Sequence, residues 1–295
     1  MKHAKVGAFD VFNVGIMLVL LFLTLAPFWF TLVGSFNEGL DFTRGGVYIW
    51  PRKFSILNYR FVLSDSQIVQ AFVISVSRTV IGTVTSILFT AVVAYGMSSK
   101  SLKGKPVYWT LMIITMFFGG GLIPSYVLLN GLGLINNYFV YIIPGLFSVY
   151  TLLIFQTNFR EIPASIAESA RIDGASEYRI LFRLVLPMSL PVIATMSLFA
   201  AVGHWNSYMD SMLFTSKDSL QTIQYYLQRI ISKSTFAQNV ATRAAQAVPI
   251  EQRSTVSAQT IILAAMVVTT VPILTVYPFA QKYFLKGIMI GAIKG

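Results

Sequence analysis

The sequence predicts an all-α membrane protein of six transmembrane helices with both termini on the inner side. Only 11% of its residues are charged while 55% are apolar, against about 25% charged in an ordinary soluble domain. So few charges cannot cover a water-facing surface of this size. The charges also cluster, leaving uncharged runs at 11–37, 79–99, 106–159, 184–209 and 254–281. Each exceeds the roughly 20 residues that carry a helix across a bilayer. A disordered or collagen-like chain is excluded by 23 Phe, 14 Tyr and 20 Gly without a triplet period. With no cysteine, disulfides, thiolate metal sites and cysteine nucleophiles are absent.

Helix 1, near 11–36, follows Lys2 and Lys5. It outruns the roughly 7–15 residues of a signal-peptide core and no small-x-small cleavage site follows, so it is read as a retained span. Helix 2 lies near 71–99. The run 106–159 is too long for one span and is broken by the Gly- and Asn-rich Asn130–Asn137, giving helices near 107–129 and 138–157. Helices 5 and 6 lie near 188–213 and 256–281. Six spans place both termini on one side. Lysine and arginine are more numerous on the segments that become inner when the termini are cytoplasmic, and the outer ones sit in two longer loops, 37–70 and 215–255, where the charge rule is weaker.

The spans offer little chemistry. Ion-coupled transporters place Asp, Glu or His within the membrane, whereas these spans hold no Glu, no interior Asp and one His, His204, with Asp210 at the outer edge of helix 5. No paired acids, Ser-His pair or His-Glu metal motif stands at usable spacing, and no GxxxxGK[ST] loop is present. The chain therefore has no energy source or borrows one.

The most charged inner segment, 160–187, separates helices 4 and 5. Pro163 suits the first turn of a helix and Asp173-Gly174 its stop, so 163–172 reads as a short helix ending in a tight turn. Tyr178, Leu181, Phe182 and Val185 then recur at i, i+3, i+4 and i+7, predicting a second helix with one apolar face. Two short helices at an angle make a knob that a soluble partner could grip; the same features also describe an amphipathic loop lying on the membrane.

Here the spacing resembles a known family. Glu168, Ala170 and Gly174, followed by Leu184, Leu186 and Pro187, are similar to the EAA loop of ABC-importer permease subunits, with Ser169 in place of the first Ala and Leu184 in place of Ile. The stretch Ala170–Ser176, which contains Asp173, is what sugar-importer subunits show. Leu57–Arg60, Ala94–Gly96, Pro124, Leu132–Leu134, Asn137, Trp205-Asn206, Gln281–Gly287 and the terminal Gly291–Gly295 resemble the maltose-type subunit that ends in Lys-Gly. Phe118–Gly121 and the long loop 215–255 are closest to the complex-polysaccharide branch, which imports oligosaccharides and includes alginate permeases.

The resemblance implies a heterodimer with a second permease subunit in the bacterial plasma (inner) membrane. Two ATP-binding subunits dock beneath it, and an external or periplasmic solute-binding protein delivers an oligosaccharide or acidic polysaccharide fragment. ATP and Mg belong to the partner ATPases; this chain is expected to bind no cofactor, metal or nucleic acid and to carry no catalytic residue. Glu168, Ala170, Asp173, Gly174, Leu186 and Pro187 would form the cytoplasmic EAA coupling helix and its bend. Lys286 and Lys294 would sit on a tail reaching between the ATPases, the alternative being a solvated terminus. For the sugar path the residues offer Arg78, His204, Trp205, Asn206 and Tyr208. The last four could equally be packing and belt residues, and Arg78 could face an acidic sugar or snorkel to the outer surface. The residues alone leave open an ABC importer of another solute, such as an amino acid or polyamine, and an ATP-independent channel or scaffold.

Overall fold

The computed structural model describes residues 7–99, 101–244 and 257–292, and among them no β-strand forms. In chain order the helices are α1 (Ala8–Ser35), α2 (Gly39–Thr43), α3 (Leu57–Ser64), α4 (Ser66–Ser98), α5 (Lys105–Phe117), α6 (Leu122–Gly131), α7 (Val149–Glu161), α8 (Ala164–Ile172), α9 (Glu177–Met188), α10 (Leu190–Asn206), α11 (Met209–Phe214), α12 (Ile223–Ala244) and α13 (Ala258–Ala292). The all-α expectation holds for the described residues. Three helices, α1, α4 and the Ala258–Thr275 part of α13, are each long and apolar enough to cross a membrane.

Several predicted boundaries need correction. The helix expected near 107–129 is two, α5 and α6, bent by 116°. Phe118-Gly119-Gly120-Gly121 interrupts it, with Gly121 at φ 82°, a conformation glycine adopts without steric cost. The helix expected near 138–157 is a single 3₁₀ turn, Tyr138–Tyr141, then irregular chain through Pro144 and Gly145, then α7. Pro144 has no N–H to continue a helix, and Ser148 restarts it by accepting from the Thr151 amide at 3.2 Å. Absence of charge marked this stretch as apolar without locating its helix start. The 188–213 segment divides after Asn206 into α10 and α11, the helix expected near 71–99 begins at Ser66, and both loops expected on the outer side contain helices: α2 and α3 in 37–70, α12 in 215–255.

The chain divides into two units. The first holds the chain up to Ile68 together with Leu227–Val271. In it the apolar side chains of α1 from Phe9 to Leu25 remain exposed, as suits a helix surrounded by hydrocarbon. Its polar joint is built by Asn58, which donates to the carbonyls of Ser35 and Asn37 at 2.9 Å each and accepts from the Thr260 hydroxyl at 2.9 Å. Asn37 in turn donates to Asp41 at 3.0 Å, and Arg52 reaches the same carboxylate at 3.1 Å.

The second unit holds Val69–Tyr226 together with the chain from Pro272. One core joins the C-terminal half of α4 (Ile87, Ala91, Ala94, Met97) to α7 (Leu152, Phe155, Phe159) and α9 (Ile180, Leu181, Val185). A smaller cluster gathers Leu129, Leu134, Val140, Tyr141 and Ile142. The two sites described next sit on these two cores.

Candidate functional site

The knob is α8, a turn and α9. Ala167 and Ala170 of α8 pack toward the larger core while Glu168 and Ser169 face outward. The corner is a Schellman turn: the Ala175 amide donates to Ala170 O at 2.9 Å and the Gly174 amide to Arg171 O at 3.0 Å. That motif needs a left-handed residue just past the cap. Gly174 supplies it at φ 78°, Asp173 is the cap, and no atom lies within 4 Å of where a Gly174 Cβ would stand. Glycine is required here by the backbone rather than by space. The spacing of Ala170 to Gly174 is therefore the spacing of the turn itself.

Beyond the corner, the carboxylate of Glu177 accepts from Arg171 Nε at 2.7 Å and from the Tyr95 hydroxyl of α4 at 2.6 Å. The knob is thus tied to the end of a long helix. Within α9, Leu181–Val185 forms a π turn, which widens the helical repeat. As a result the buried stripe is Ile180, Leu181 and Val185 with Leu184 beside it, whereas Tyr178 and Phe182, expected on the apolar face, are exposed. Leu186 is half-buried against the core, Pro187 is exposed, and the chain bends by 84° at Ser189 into α10. Pro187 and Pro191 flank that bend, and neither has an N–H for a continuous helical ladder. At the tip Ile172 is 86% and Tyr178 71% exposed. Apolar side chains held outward on a braced support suit contact with another protein. Lys286 lies on α13 but its side chain, like the whole of Lys294, lies outside the described residues.

A cavity of about 560 Å³ opens in the same unit. Its wall combines Tyr141, Tyr150 and Phe199 with Ser86, Thr90, Ser148, Arg78, His204, Ser207 and Asp210, so aromatic faces and hydroxyls share one space. Arg78 is 2% exposed. Its Nη1 and Nη2 meet Asp210 Oδ1 and Oδ2 at 3.1 and 2.5 Å, and its Cζ stands 4.5 Å from the centre of the Tyr141 ring. The snorkelling alternative is overturned, because the buried guanidinium has a carboxylate to satisfy it. The His204 ring lies so close to Gly82 that a Cβ there would approach it to 2.6 Å.

Of the five residues expected on a sugar path, Arg78 and His204 line this cavity. Trp205 instead packs edge-on to Phe72 at 6.0 Å, and neither Asn206, exposed at the end of α10, nor the half-buried Tyr208 lines the cavity. Asp210 and Tyr141 were missed. A signal for Asp210 existed, since an arginine within a span demands a counter-charge and Asp210 is the acid nearest any predicted helix interior.

Residues 102–290 match the family described as "Binding-protein-dependent transport system inner membrane component". The chain is 36% identical over 287 residues to the polygalacturonan/rhamnogalacturonan transport system permease protein YtcP of Bacillus subtilis (strain 168), covering 97% of this chain and 98% of that one. It is 35% identical over 296 residues to Protein LplC of the same strain, covering 100% and 98%. A crystal structure of a bacterial ABC transporter involved in the import of the acidic polysaccharide alginate contains a chain that superposes with a TM-score of 0.83 at 28% identity, over 96% of this chain and 99% of that one. Matched over more than half its length and aligned end to end with a permease relative, the chain belongs to the inner membrane components of binding-protein-dependent transport systems.

Proposed function

We propose that this chain is one of two unlike permease subunits of an ATP-driven importer that admits an oligosaccharide derived from an acidic polysaccharide. An external solute-binding protein delivers the substrate, and two partner subunits hydrolyse ATP with Mg. The observation that carries the reading is the knob: an exposed tip on a corner fixed by the Gly174 turn and tied through Glu177 to α4. Binding energy at one surface can shift a membrane equilibrium only through an element that passes on the displacement, and this one is braced at both ends. The substrate class is supported by the relatives, one named for polygalacturonan and rhamnogalacturonan and another described as importing alginate, and by the mixed aromatic and hydroxyl wall of the cavity. We read six crossings, α1, α4, α5 with α6, Tyr138–Glu161, α10 with α11, and α13, with both termini and the knob cytoplasmic.

Gly174→Asp tests the coupling role. An aspartate at φ 78° costs about 1–2 kcal/mol and distorts the corner while leaving the buried root of α9 in place. The variant should still assemble in the membrane and hydrolyse ATP, with uptake lost. Normal uptake would remove the knob from the mechanism. Purification in detergent adds a second check: an ATPase and a second permease should accompany the chain, and their absence would favour a channel or scaffold.

A further inference from the structure

Arg78 uses only part of its bonding capacity. A guanidinium carries five N–H donors, two on each terminal nitrogen and one on Nε. Asp210 takes the end-on pair, and the Ser207 carbonyl takes the second Nη1 hydrogen at 3.3 Å. Tyr141 covers one face. What is left is the side-on edge, Nε–H with the outer hydrogen of Nη2. Nε is buried without any partner, and among the described residues no acceptor meets that second Nη2 hydrogen. On the wall of the same cavity the Thr90 hydroxyl is also buried and unpaired. Buried donors are seldom left unmet, because desolvation then goes uncompensated. Two such groups on one cavity point to a ligand that supplies their partners.

We propose that the side-on edge of Arg78 binds the carboxylate of an acidic sugar unit in passage, with Thr90 meeting a neighbouring sugar hydroxyl. The proposal rests on the oligosaccharide reading above and makes Arg78 a specificity-determining residue. Two coplanar carboxylate oxygens match a guanidinium fork, and a charge-assisted bidentate pair is both stronger and more directional than a hydroxyl contact. Asp210 is the positioning residue: it holds the guanidinium end-on and so leaves the side-on edge without a protein partner. It also compensates the cation, so that an anion meeting the unpaired edge would be recognised without being trapped, as a conduit requires.

The test uses the complete importer with its receptor in proteoliposomes, with a galacturonate trimer and its fully methyl-esterified counterpart as probes. The readout is the ratio of acid to ester uptake, each normalised to receptor-bound probe. Arg78→Lys keeps the charge and removes the fork, and should lower the ratio about tenfold or more. Arg78→Gln combined with Asp210→Asn leaves no unpaired charge, and gives the same fall should the lysine variant fail to assemble. A ratio within about twofold of wild type, or equal loss of both probes, overturns the proposal. Wild-type uptake of the ester alone overturns the carboxylate site and leaves the oligosaccharide reading standing, whereas uptake of neither probe by the wild type overturns both.

Discussion

Asp41 shows how a chain this poor in charge places one where it can be kept. The Asn37 amide beside it, then the Arg52 guanidinium and Lys53, hold its carboxyl below the ordinary range, against the opposing effect of burial. The folded value therefore lies under the unfolded one, so the ionised form contributes stability above the unfolded pKa of about 3.9. That contribution is lost as pH falls further, through the folded value. Asp41→Asn should lower Tm by a few degrees at neutral pH and flatten its decline below about pH 4. A parallel acid limb in thermal scans of the two proteins would show that the carboxylate is not the group involved. Residue-scale legibility was uneven for a related reason. Gly174 could be read because a turn is local and leaves a local signature, whereas the partner of Arg78 is 132 positions away and only the rule that a membrane charge needs a counter-charge pointed to it. Trp205 has an aromatic face of the kind that stacks on a sugar, but helix rotation decides which side meets the cavity, and the apolar residues of α10 are spread around it rather than gathered on one face; Tyr208 lies past its end.

At the scale of elements, the knob was legible and the spans were blurred. Proline, glycine and the 3.6-residue repeat gave α8, its stop and a following helix; the π turn then rotated the buried face by part of a turn, which no repeat in Tyr178–Val185 announces. Bends at Gly121 and Ser189 were hidden for a different reason, since hydrophobic length reports that a segment is apolar and not whether it is straight. The tie from Tyr95 to Glu177 is the element-scale feature whose loss is most informative. Arg171 and Glu177 are both about half exposed, so their pair contributes at most about 1 kcal/mol to stability, and its value lies in fixing the angle of α8 against α4. Tyr95→Phe removes one hydroxyl. Thermal stability should stay close to wild type, while the ATP consumed per solute imported rises roughly twofold or more. An unchanged ratio would make the contact a surface decoration.

For the whole molecule, the scarcity of charge becomes a division of labour. Among the described residues the larger core supports a knob that presents Ile172 and Glu168 outward, the smaller one supports a neutralised Arg78–Asp210 pair beside a cavity, and no group of acids and histidines could hold a metal. On the proposed reading a chain so arranged moves when partners move it, and a run of cations without acids is then a place for a partner to bind. Lys282, Lys286 and Lys294 stand within the last fourteen positions of the sequence with no acid among them. If this basic tail reaches between the ATPases, removing 288–295, which takes away Lys294 and leaves Lys282 and Lys286, should leave the complex assembled and lower receptor-stimulated ATP hydrolysis about threefold or more. Because contacts of exposed charges weaken once the Debye length shrinks from about 10 Å at 0.1 M salt to about 3 Å at 1 M, high salt should bring the full-length importer toward the truncated one. A solvated terminus would give equal ATPase rates at both salt concentrations, with and without the tail.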